Sequence, residues 1–347
     1  MYKKTVILLF APLLFIGQEN KRFAETITKK DLEKHLMVLA SDSLEGRETG
    51  MPGQKMAAEY IANHFKKIGI PPCVTSKNKY TKRMATTYFQ EFKTQSDRYR
   101  RLFKKKKIIE GENVLGYIEG TDLKDELVVI TAHYDHLGKQ DSLIFNGADD
   151  NGSGTVATLE IAEAFMMAKK EGNGPRRSVL VMTVSAEEKG LLGSKYYTRK
   201  PVFPLEKTVV NLNIDMIGRV DDRHNDGNYV YLIGSNRLSN ELHDISEQVN
   251  KKHIGLELDY TFNAEDDPNR YYYRSDHYNF AKNNIPVIFY FNGTHEDYHK
   301  TTDTIEKLDF EKIQKITRLV FLTAWELANR DEKPKLNNDI SNASKKG

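Results

Sequence analysis

From residue 113 onward, short apolar runs alternate with longer stretches of helical spacing, and nothing else in the chain constrains its fold as much. The apolar runs are 114–118, 127–132, 179–184, 209–214, 229–233 and 286–291. Between them, 154–170, 190–198, 238–252, 276–283 and 309–329 carry apolar residues about every third or fourth position. Strands that are apolar throughout are covered on both faces, and strands that alternate with helices form mostly parallel sheets. The expectation is an α/β fold of three layers, with a mixed, mostly parallel central sheet and helices on both faces. Upstream, 29–40 and 54–68 read as amphipathic helices, with a Gly-rich loop at 41–52 between them. Residues 74–92 are polar and irregular, with possible edge strands.

The polar residues fall in a pattern on this frame. His133 and Asp135 follow the run 127–132. Glu187 and Glu188 follow 179–184, Asp215 follows 209–214, and His299 lies beyond 286–291. Open α/β sheets bind ligands outside the carboxyl ends of their strands, so four separate strands would deliver carboxylates and imidazoles to one rim. These donor types, without cysteine, suit zinc or a similar first-row metal in a catalytic setting. Five ligands suit two ions if one carboxylate is shared, and ions about 4 Å apart can stabilise attacking and leaving oxygens together. The loop 146–154, Asn-Gly-Ala-Asp-Asp-Asn-Gly-Ser-Gly, is the natural source of the shared carboxylate, from Asp149 or Asp150. Ser153 could cap the helix that follows. A phosphate-cradling loop and a calcium loop compete for the same segment, although the calcium spacing of an EF-hand is absent.

The blocks AHYDHLG (132–138), GADDNGSG (147–154), SAEEKGLLGS (185–194), NIDMIG (213–218) and DYHKTTDT (297–304) resemble, in order and spacing, the M28 family of co-catalytic zinc aminopeptidases. The resemblance covers about residues 110–330, and LASDSLEGRETGMPG (39–53) is similar to the N-terminal extension of bacterial members. It implies a zinc-peptidase (phosphorylase/hydrolase-like) architecture and an enzyme that removes N-terminal residues from peptides through a zinc-activated water. It assigns His133 and Asp215 to one of two Zn2+ ions, Glu188 and His299 to the other, and Asp149 to the bridge. Glu187 would be the general base, Asp135 would orient His133 as a carboxylate behind the ligand, and Tyr298 would donate to the developing oxyanion. Asp150 and Asp303 would be supporting carboxylates, and Asp276, His277 and Tyr271–Tyr273 possible pocket residues. The same resemblance allows two alternatives, a glutaminyl-peptide cyclotransferase or a binding domain without catalysis.

Residues 295–299, HEDYH, also match the zincin signature H-E-x-x-H, which works only on a helix. Here the match follows a strand and a Gly-containing turn, so His295 reads as an incidental loop residue and His299 alone as a ligand. The adjacent Glu187 and Glu188 make sense in extended chain, where neighbouring side chains point to opposite sides.

The remaining features bound the setting. A net charge of +3 argues against nucleic acid as a partner, and RYRRLFKKKK (98–107) reads as a solvated loop or a lysine-guarded edge. The single cysteine, Cys73, rules out an internal disulfide. Lys3 and Lys4 before the apolar run 5–17 suggest a signal peptide over 1–20, hence a secreted or periplasmic enzyme. Beyond it are expected an N-terminal helical extension (25–110) packed on the catalytic domain (111–330), and a polar tail (331–347).

Overall fold

A computed structural model describes residues 20–77, 84–95 and 108–337. The apolar N-terminal run, the basic segment 98–107 and the tail beyond 337 lie outside these residues. An eight-stranded sheet forms the centre, in the order β11-β10-β12-β9-β5-β8-β4-β3. Numbered in chain order, its strands are β3 (Phe89–Gln95), β4 (Ile108–Ile118), β5 (Leu123–His133), β8 (Arg177–Val184), β9 (Thr208–Ile214), β10 (Tyr229–Ile233), β11 (Glu257–Asp259) and β12 (Val287–Phe291); β1 (Val74–Lys77) pairs with β2 (Met84–Thr87), and β6 (Gly138–Gln140) with β7 (Leu143–Phe145), in two small antiparallel sheets outside it. The four central strands β12, β9, β5 and β8 run parallel, and antiparallel pairings join β10 to β12, β8 to β4, and β4 to β3.

Every residue of β8 and β9 is buried, as two-sided coverage requires. Alternation then sorts the side chains. Val128 and Ile130 of β5 enter one apolar cluster, and Leu127 and Val129 enter the other. The first cluster also holds the apolar faces of α1 (Lys29–Leu39), α2 (Pro52–Ile68), α3 (Gly154–Lys170), α5 (Asn240–His253) and α7 (Phe310–Asn329). The second is covered by α4 (Leu192–Arg199), α6 (His277–Ala281) and the aromatic segment around Tyr271. This is the three-layer, mixed-sheet α/β architecture expected from the sequence. The N-terminal helices share their core with α3 and α7: Leu32, Leu36, Ile61 and Phe65 sit in one cluster with Phe165 and Phe321.

The chain passes from β5 to β8 on one side, then to β9 and β12 on the other. The order therefore reverses at β5, and a crevice opens at the carboxyl ends there.

Candidate metal centre

His133 is the last residue of β5. Its Nδ1 lies 3.0 Å from the backbone carbonyl oxygen of Asp135, an acceptor, so Nδ1 carries the proton and Nε2 offers its lone pair. Nε2 is 3.2 Å from Asp215 Oδ1 and 3.3 Å from Asp150 Oδ1. Asp215 follows β9 directly, and its Oδ2 accepts a 2.6 Å hydrogen bond from Ser275 Oγ. On the far side of Asp150, Oδ2 lies 3.1 Å from His299 Nε2, which is itself 3.5 Å from Glu188 Oε1. One carboxylate, Asp150, thus faces two donor groups, with His133 and Asp215 on one oxygen and Glu188 and His299 on the other.

The shared carboxylate is not Asp149. Asp149 Oδ1 accepts from Gly218 N (2.6 Å) and Ser153 Oγ (2.9 Å), and its Oδ2 lies 3.2 Å from His295 Nε2. The backbone is non-helical at Asp150 (φ −100°, ψ 96°), so the two neighbouring side chains diverge. The loop is held by Asp303, whose carboxylate accepts from the backbone N–H of Asp149 and of Asp150. With those N–H groups engaged, and Gly154 N donating to Asn151 Oδ1, the loop is no phosphate cradle. Ser153 leaves the helix cap to Asn151 and donates to Asp149 instead.

Asp135 also differs from expectation. Its carboxylate is 3.9 Å from His133 Nδ1 and is engaged elsewhere, by Thr49 Oγ1 at 2.7 Å and the backbone N–H of Glu187 at 3.2 Å. The peptide carbonyl of Asp135, not its side chain, receives the imidazole proton.

His295 is not incidental. Its side chain is 2% exposed and pairs with Asp149, while His299 faces the Asp150 cluster. Residues 296–299 form a turn, so the HEDYH residues cannot bind one ion as a helix would present them. Asp276 and His277 are buried away from the cavity, and Asp276 accepts from Ser194 Oγ. Of the three tyrosines 271–273, only Tyr271 lines the cavity.

That cavity opens onto the cluster. His133, Asp150, Glu187, Asp215, Tyr298 and His299 line its floor, and Met216, Tyr271, Phe289 and Phe291 form apolar walls, with Arg274 and Thr294 at the side. Glu187 and Glu188 diverge, Glu187 into the cavity and Glu188 toward His299, but they do so in a turn closed by Gly190 N donating to the Glu187 carbonyl, not in the extended chain expected. Ala186, Met216 and His299 take positive φ angles of 59°, 54° and 58°. These backbone positions are sparsely populated by residues with side chains and often occur at functional sites.

The electrostatics call for cations. Burial pushes the Glu187 carboxyl well above its ordinary range, against the pull of His133. Burial also disfavours a charged His299, yet the carboxylates of Asp150 and Glu188 hold its imidazole up at about 10. Donor atoms of His133, Asp150 and Asp215, and separately those of His136, Asp150 and Glu188, lie within 4.8 Å of one another. Buried Glu188 Oε1 has no hydrogen-bond partner among the described residues. This donor set fits zinc at two positions.

Three participants went unread in the sequence. His136, three residues beyond His133, faces Glu188, and the signal was the second imidazole in the block AHYDHLG. Arg47 is 1% exposed and donates to the carbonyls of Leu39, Tyr134, Asn146 and Gly147. Thr49 donates to Asp135 and accepts from the backbone N–H of Ala186 at 2.8 Å.

A family model described as peptidase family M28 matches residues 113–324. Aminopeptidase YwaD of Bacillus subtilis (strain 168) is 29% identical over 234 residues, covering 65% of this chain and 46% of that protein. The chain spans about half the length of the curated relatives it matches. BSAP, a zinc aminopeptidase from Bacillus subtilis, superposes with a TM-score of 0.62 at 18% identity, covering 89% of this chain and 97% of that one. Porphyromonas gingivalis glutaminyl cyclase gives 0.63 at 16% identity, covering 86% and 98%. At such identities these structures share the fold. The family match takes in well over half of the chain and carries all the donors of the rim, and the chain belongs to peptidase family M28.

Proposed function

We propose that the protein is a zinc aminopeptidase that holds two ions, one by His133, Asp150 and Asp215 and the other by Asp150, Glu188 and His299. The observation that carries this reading is the single carboxylate, Asp150, shared between two donor groups on the floor of a cavity that Glu187 also lines. Bound there, a metal pair supplies Lewis acidity and makes a nucleophile available near neutral pH.

The chain's own groups do the rest. Glu187 accepts the proton of the attacking water and returns it to the leaving amine. Tyr298, at the cavity floor, donates to the oxygen that gains charge. The walls of Met216, Tyr271, Phe289 and Phe291 favour an apolar side chain in the cavity.

The likeness of fold to a glutaminyl cyclase supports a second reading, cyclisation of N-terminal glutamine. A panel of aminoacyl and glutaminyl substrates, with and without chelator, decides between them. Chelator-sensitive release of apolar N-terminal residues is the expected result, and cyclisation without hydrolysis overturns it. Glu187→Gln should keep its metal and lose turnover. Lys3, Lys4 and the apolar run 5–17 support export as well. N-terminal sequencing of protein recovered outside the cytoplasm checks this. No helix among the described residues is long and apolar enough to cross a membrane.

A further inference from the structure

We propose that His136 is a fourth protein ligand at the position held by Asp150, Glu188 and His299; the inference rests on the reading of this cluster as a metal centre. The His136 imidazole is fully buried, and neither ring nitrogen makes a hydrogen bond with the described residues. Nδ1 nevertheless lies 2.9 Å from Glu188 Oε1, which is also without a hydrogen bond, and 3.8 Å from Asp150 Oδ2. Two donors that approach so closely without hydrogen-bonding alignment are aimed at a common third point.

His299 Nε2 faces the same two oxygens, at 3.1 and 3.5 Å. Tetrahedral zinc, with donors at about 2.0–2.2 Å, keeps them roughly 3.3–3.5 Å apart. The four separations bracket that spacing. The fold makes room for the ring in one further way. Gly147 has φ +56°, and a Cβ there would lie 2.5 Å from His136 Cγ and Cδ2. A side chain at 147 would therefore drive the imidazole out of the cluster.

The two positions then differ in kind. His133, Asp150 and Asp215 leave an open position for substrate, whereas four protein donors on the other side resemble the closed set of a structural zinc. The Glu188 side is the tight position, and its ion stays when a chelator takes the first.

The test titrates Zn2+ and Co2+ into metal-stripped protein by calorimetry and visible absorption, with wild type, His136→Ala, His136→Asn and His299→Ala. Losing a contact behind a ligand weakens metal binding by about 10–100-fold, so losing a ligand should weaken one step by at least about 100-fold. The expected result is that both His136 variants weaken one of two steps by that factor, spare the other, and change the Co2+ spectrum of the weakened site. His299→Ala should keep a measurable second step, which the His136→Ala/His299→Ala double variant loses. A His136 variant that folds by circular dichroism and binds both ions with wild-type affinity and spectrum overturns the proposal. So does a loss of under tenfold with an unchanged spectrum, since His136 would then only support Glu188. If wild type binds no ion, the metal-centre reading itself falls.

Discussion

Arg47 ties the N-terminal segment to the rim, and its removal has a calculable effect. Its guanidinium donates to four buried carbonyls: Tyr134 lies between His133 and Asp135, Asn146 and Gly147 precede Asp150, and Leu39 ends α1. Arg47→Met keeps the bulk and removes every donor. A buried carbonyl left without a partner costs about 1–3 kcal/mol, so the gross penalty is at least about 4 kcal/mol. Part of this is offset. Burial lowers the guanidinium to about 10 despite nearby Asp303, Asp135 and Asp150, so its own burial is unfavourable. The net loss should be about 3–5 kcal/mol, as for other buried charged groups removed from their partners. With an unfolding entropy of about 2.1 cal/mol/K per residue, a chain of this size melts about 1.4 °C lower per kcal/mol. Thermal melting followed by circular dichroism should show Tm falling by about 4–7 °C. Arg47→Lys should recover less than half of that, since an ammonium cannot reproduce the fork. A melt within 1 °C of wild type would refute the reasoning, because the four carbonyls would then have no need of the guanidinium.

Other substitutions separate neighbouring residues. Asp150→Asn should remove most bound metal, whereas Asp149→Asn should keep it and lose about 1–2 kcal/mol through its bonds to Gly218 and Ser153; metal analysis of the purified variants checks both. Glu296, exposed on the turn, should tolerate Gln with activity unchanged, and a large loss would revive the zincin reading. Burial pushes His277 down to about 3, so between pH 6.5 and 3 the unfolded chain binds the extra proton and stability falls as the solution is acidified. The slope from this group is at most about 1.4 kcal/mol per pH unit, so between pH 6 and 4 the metal-free wild type should lose up to about 2.7 kcal/mol more than His277→Phe. Parallel losses in denaturant titrations would count against it. Burial pushes the Cys73 thiol up to about 12, so it should react with a thiol reagent only on unfolding.

Six of the eight strands of the sheet were legible because burial on two faces writes continuous apolar runs, and coverage by helices writes the longer period; the edge strands β3 and β11 carry polar residues and write no such run. The rim was legible because the carboxyl ends of parallel strands converge. The carboxylate that faces both donor groups lies one residue beyond the expected Asp149, because Asp149 and Asp150 are chemically identical in sequence and only the backbone angles of an irregular loop decide which side chain turns inward. His295 was misjudged for the same reason: a loop histidine reveals its burial only once Asp149 is seen to face it. The roles of Arg47 and Thr49 depend on contacts with residues more than eighty positions away, which local patterning does not record.

Thr49 has a bearing on where this protein can be cut. The family match begins at residue 113, yet the hydroxyl that steadies Asp135 and the turn before Glu187 comes from residue 49. A chain trimmed to its family segment would keep every metal donor and lose the scaffold that aims them. The start of the family model and the start of the residues that hold the site therefore do not coincide. Fusions, truncations and grafts of this chain should begin upstream of α1, where that helix still closes the core beneath the rim.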